Sequence, residues 1–149
     1  MKKKRSHIPS LFLSKEEKKM IIDAIGEAEK NTSGEIRVHL EAKSSGDVLQ
    51  HAKKVFEKLK MTHTAARNGT LIFLCVRDKK FAIIGDRGIH DKVPENFWRD
   101  VSSLMQEYFK KDLFAEGLAE GIKMVGEKLK VYFPYQKDDV NELPDDISF

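Results

Sequence analysis

Thr70-Leu71-Ile72-Phe73-Leu74-Cys75-Val76-Arg77-Asp78-Lys79-Lys80-Phe81-Ala82-Ile83-Ile84-Gly85-Asp86-Arg87-Gly88 is the stretch on which the fold turns. Thr70 to Val76 is a nearly continuous apolar run, the pattern of a strand covered on both faces. Arg77 to Lys80 is polar and tight, and Phe81 to Ile84 is a second apolar run. Two strands joined by so short a turn form an antiparallel hairpin. Gly85-Asp86-Arg87-Gly88 reads as the turn that closes it.

Upstream, Glu35 to Glu41 alternates, with Ile36, Val38 and Leu40 on one side and Glu35, Arg37, His39 and Glu41 on the other. That is a half-buried strand. Ser14 with Glu17 three residues on is a capping box, and Met20, Ile21, Ala24, Ile25 and Ala28 then recur at helical spacing. The spacing predicts a helix over residues 15–30. Asp47 is an N-cap for a second helix carrying Val48, Leu49, Ala52, Val55, Phe56 and Leu59. Downstream, Pro94 is read as opening a third helix. Asp112 is read as capping a fourth, which Pro134 stops.

The order is therefore helix, strand, helix, strand, strand, helix, helix. Strand one to strand two is a crossover and should be parallel. The expected class is α/β: an α/β/α sandwich with a small mixed sheet, one parallel crossover plus an antiparallel hairpin, covered by about four helices. Residues 1–13 read as a basic N-terminal segment, 14–134 as one domain and 135–149 as an acidic tail.

Composition narrows the function classes. The chain has 149 residues, 40 % hydrophobic and 34 % charged, and a formal net charge of +3. It is a globular composition with no apolar run long enough to span a membrane. Setting aside Lys2 to Arg5 and the five tail acids leaves 23 cations against 19 anions. Acids and bases interleave along every predicted helix, as on a solvated face, which speaks against nucleic acid as a partner. The apolar stretch after the MKKKR head is too short and too broken for a secretion signal. The single cysteine, Cys75, closes no internal disulfide, so a reducing cytoplasm is the expected compartment.

Topology, more than any motif, points to a site. The beginnings of strands one and two and the end of strand three fall at one edge of the sheet. Three polar loops meet there: Thr32-Ser33-Gly34-Glu35, Arg67-Asn68-Gly69 and Gly85-Asp86-Arg87-Gly88. Glu35 and Asp86 would offer hard oxygen ligands to Ca²⁺ or Mg²⁺, with Asn68 and backbone carbonyls completing the shell. Arg67 and Arg87 would instead hold a phosphate or carboxylate through paired hydrogen bonds. An ordinary surface ion pair between Glu35 and one of these arginines is the plainer alternative. The five histidines show no zinc spacing, and Cys75 reads as a core thiol.

Ser33-Gly34-Glu35-Ile36, Thr64-Ala65-Ala66-Arg67-Asn68-Gly69-Thr70-Leu71-Ile72 and Phe81-Ala82-Ile83-Ile84-Gly85-Asp86-Arg87-Gly88-Ile89 together resemble the TPM domain. That family includes thylakoid lumen phosphatase-like proteins and photosystem II repair factors. Trp98, Glu116-Gly117-Leu118 and Tyr132-Phe133-Pro134 also fit, over about residues 14–134. The chain is similar to the short bacterial stand-alone type ending in Asn-Glu-Leu-Pro, here Asn141 to Pro144. The resemblance implies an α/β/α sandwich and a divalent-metal site, often calcium, at the sheet edge, carried over to Glu35, Asn68 and Asp86. It also implies an acid phosphatase activity proposed for plant members. No Cys, Ser or His is placed here as a nucleophile with its base, which leaves a metal-activated water as the route. The expected function is that of a metal-binding interaction or repair module, with a protein or a phosphorylated ligand as partner. The alternative is a metal-assisted phosphatase.

Overall fold

A computed structural model describes residues 5–44, 46–136 and 141–149. Lys2 to Lys4 of the basic head, and Asp138 and Asp139 of the tail, lie outside the described residues. Among the described residues there are six helices and four strands in chain order. They are α1 (Pro9–Phe12), α2 (Lys15–Glu29), β1 (Glu35–Glu41), α3 (Val48–Lys58), β2 (Gly69–Cys75), β3 (Lys80–Gly85), α4 (Arg87–His90), α5 (Arg99–Lys110), α6 (Phe114–Tyr132) and β4 (Ile147–Ser148). The sheet order is β3-β2-β1-β4. β1 and β2 run parallel with Glu35 opposite Gly69, and β2 and β3 run antiparallel with Thr70 opposite Gly85. This is the mixed α/β sheet that the crossover and hairpin require.

Every residue of β2 is buried, because helices cover both faces of the sheet. The larger core joins α2, α5 and α6 to one face through Ile25, Val38, Ile72, Val101, Leu118 and Ile122. The smaller core joins α3 to the other through Ala52, Val55, Phe56, Leu71 and Phe73. α2 and α6 close on each other tightly: a Cβ at Gly126 would lie 2.8 Å from that of Ala28.

The helix starts follow the capping rules where caps exist. Ser14 accepts from the Glu17 N–H and Glu17 returns to the Ser14 N–H. Asp47 accepts from the Leu49 N–H at 3.1 Å. Three helix starts downstream of β3 differ from expectation. α5 begins at Arg99, because residues 95–98 form turns after Pro94. α6 begins with Leu113 in the cap position, one residue after Asp112, which has φ +60°. Gly85 to Gly88, read as a turn, runs into α4 with Asp86 as its N-cap.

The acidic tail returns to the sheet. Leu143 is buried in the smaller core and Ile147 in the larger one. β4 pairs parallel with β1, Val38 opposite Ile147. The Ser148 hydroxyl meets His39 Nδ1 at 2.7 Å.

Candidate functional site

The start of β1, the start of β2 and the end of β3 do fall at one edge of the sheet. Glu35, Asn68 and Asp86 are all buried there, at 3 %, 1 % and 6 % exposure. They separate into two environments.

In the first, Asp86 faces Arg67. Arg67 Nε and an Nη donate to the two Asp86 carboxylate oxygens at 2.7 and 2.9 Å. Asp86 Oδ1 also accepts from the Arg87 N–H at 2.7 Å, so one carboxylate caps α4 and holds an arginine fork. The pair holds Arg67 protonated beyond its ordinary range, chiefly through the Asp86 hydrogen bond. Arg67 sits at φ +52°, and Gly88 packs directly under it. A Cβ at Gly88 would lie 2.1 Å from the Ala66 carbonyl oxygen, so only glycine fits. The Arg87 side chain is exposed.

In the second environment, Glu35 faces other carboxylates. Among the described residues, Glu29, Glu35 and Asp145 bring one carboxylate oxygen each within 4.8 Å of the others. Glu29 Oε2 accepts from the Ile36 N–H at 2.7 Å, and a Glu35 oxygen accepts from the Glu142 N–H. Burial pushes the Glu29 carboxyl up to about 10, reinforced by its hydrogen bond with Asp145. Burial raises Glu35 as well, against the opposing bond from Glu142. Lys30 lines the same cleft of about 200 Å³, but its ammonium is 3.0 Å from Glu27.

Asn68 stands beside this cleft. Its backbone carbonyl accepts from the Glu35 N–H at 3.2 Å, and its Nδ2 donates to the Ser33 carbonyl at 3.2 Å. Its Oδ1 is buried without a hydrogen-bond partner. Three carboxyl groups within 4.8 Å of one another are a donor set of hard oxygens, and the orphaned Asn68 Oδ1 belongs to the neighbouring loop. The residues present therefore fit a divalent cation.

Sequence reasoning missed Glu29, Asp145 and Glu142. Glu29 did carry a signal. It is the last residue of α2, where the helix dipole disfavours an acid, and no base stands in that last turn. The turn after α2 leads straight into Glu35, which places both acids at one edge. Asp145 arrives through the tail fold, which has no local pattern. Cys75 is an inert core thiol, raised to about 11 by burial. His39 lies beneath β4, its basicity lowered by burial despite Glu41 at 2.9 Å.

Comparison with known families matches residues 9–128 to the TPM domain. The chain belongs to the TPM domain family. Among solved structures it is similar to the BA42 protein of the psychrophilic bacterium Bizionia argentinensis, determined by NMR. The two are 52 % identical with a TM-score of 0.88, over 92 % of this chain and 94 % of that one. No curated protein matches. No helix among the described residues is long and apolar enough to cross a membrane.

Proposed function

We propose that this TPM-domain protein binds a divalent cation, Ca²⁺ in preference to Mg²⁺, in the cleft of Glu29, Glu35 and Asp145, and acts as an interaction or repair module. One observation supports the reading: three carboxyl groups, one buried and two half-buried, converge with no cation paired to them, so the cleft is relieved by protons or by a cation. Asn68 would add its orphaned Oδ1 from the neighbouring loop. Ca²⁺ is favoured because carboxylates on a helix end, a strand start and a tail make an irregular oxygen cage, which Mg²⁺ tolerates poorly. Asp86 would act by holding Arg67 and α4 in place rather than by reaching the ion, because its oxygens are engaged.

Calorimetric titration of the full chain with CaCl₂ and MgCl₂ tests this. Saturable heat with Ca²⁺, lost in Glu35→Gln, is expected. Absence of heat together with an unchanged melting temperature overturns it. The second reading, phosphomonoester hydrolysis by a metal-activated water, draws on Arg87, an exposed cation at the start of α4 on the same edge. An aryl phosphate assay with and without Ca²⁺ separates the two. Turnover that disappears in both Glu35→Gln and Arg87→Ala supports the second.

A further inference from the structure

β3 is an edge strand with a groove beside it. The Asp86 N–H bonds to the Gly69 carbonyl at 2.9 Å, which fixes the alternation of the hairpin. Lys80, Ala82 and Ile84 direct their backbone groups at β2, and Phe81, Ile83 and Gly85 turn theirs outward. Among the described residues, no hydrogen bond meets those outward groups. Sheet edges are ordinarily guarded by a charge, a proline or a bulge. Phe81 to Ile84 has none of these, and its register with β2 runs unbroken.

The groove holds about 410 Å³ and has a wall on each face of the sheet. Leu49 and Lys53 of α3 form one wall, on the side of Ile84. Ile89, Val93, Phe97 and Trp98 form the other, on the side of Ile83. Lys53, His90 and Glu95 are its ionisable lining.

We propose that β3 is a docking edge for an extended peptide segment of another protein, which adds to the sheet as a fifth strand. Its chemistry follows from what it must satisfy. The orphaned groups are main-chain donors and acceptors spaced two residues apart, which an extended backbone matches and a helix does not. The apolar walls take aliphatic side chains at alternate positions. Lys53, exposed on the α3 wall beside Ile84, is placed to pair with a carboxylate on the segment. The molecule already takes a strand in this way at its opposite edge, where Ile147 and Ser148 add to β1.

The probe is a fluorescein-labelled peptide of alternating valine and threonine flanked by aspartates, with a lysine-flanked copy as control. It is titrated into the full chain by fluorescence polarisation, and amide exchange is followed by NMR. Saturable binding of the aspartate peptide is expected, with exchange slowed at Phe81, Ile83 and Gly85 on binding. Ile83→Pro removes one outward N–H and spares the β2 ladder but also loses the Ile83 packing on the larger core, so Ile83→Ala, which loses that packing and keeps the N–H, is its control: binding weakens about tenfold or more in the proline variant and clearly less in the alanine one. Lys53→Glu reverses the preference between the two peptides. Unchanged binding to Ile83→Pro overturns the proposal, as does no binding of the aspartate peptide. Amides at Phe81 and Ile83 that are already protected in a dimer of the free chain overturn it too, since a second copy would then be the occupant.

Discussion

Asp86 and Glu35 stand at the same end of the sheet, just past β3 and at the start of β1 with β2 between them, and the chain treats them in opposite ways. Asp86 receives a guanidinium fork and a helix-capping N–H, so its charge is fully met. Glu35 receives the Glu142 and Leu143 backbone N–H groups and then two more carboxyl groups. Both are nearly buried, so burial alone does not separate a structural acid from a ligand-seeking one. The partner set does. A carboxylate beside an arginine is finished chemistry, whereas one crowded by its own kind is held at a free-energy cost that a cation or proton relieves.

The harshest way to break this comparison is Gly88→Ala. The new Cβ meets rigid backbone at Ala66 and Arg67, and a loss of about 3 kcal/mol is expected by urea denaturation. The Arg67–Asp86 corner should collapse first, seen as faster exchange of the α4 amides. Leu143→Ala tests the other side at a somewhat smaller scale. Emptying its place in the smaller core should cost about 2 kcal/mol and weaken the Ca²⁺ response, because Asp145 depends on the tail for its position. An unchanged Ca²⁺ response there would detach the tail from the cleft.

The smallest expected effect sharpens the comparison most. Glu29→Gln keeps the acceptor for the Ile36 N–H and removes a carboxyl that must take up a proton on folding. At pH 8 without divalent ions it should stabilise the chain by about 1 kcal/mol. The pH dependence carries the same sign. A carboxyl raised from 4.5 to about 10 on folding favours the native state most below pH 4.5, and that contribution is lost as pH rises toward 10. Calcium should therefore raise the melting temperature more at pH 8 than at pH 5, and Glu29→Gln should flatten the difference. Equal shifts at both pH values would place the ion elsewhere.

Most of the frame was readable because its signals are local. The capping box at Ser14, the cap at Asp47 and the two apolar runs around Arg77 to Lys80 each sit where the fold uses them. Topology then brought Glu35, Asn68 and Asp86 to one edge without any contact being known. The pairing within that edge was not readable. Whether Arg67 reaches Asp86 or Glu35 depends on a positive φ at Arg67 and the close approach of Gly88, which the pattern Arg-Asn-Gly does not reveal. α4 and β4, at four and two residues, are too short to show a period. The tail looked merely acidic, because Leu143 and Ile147 stand alone among polar residues and find their apolar partners only in three dimensions.

The tail has one more consequence. Leu143 enters the core beneath α3 and Ile147 enters the core beneath α2 and α6, on the opposite face of the sheet. Nine residues at the end of the chain thus stitch together two layers on opposite faces of the sheet. Loosening either layer frees one end of the stitch and strips the other layer of its anchor. Such a seam makes the two halves of the sandwich come apart in a single cooperative transition rather than one after the other.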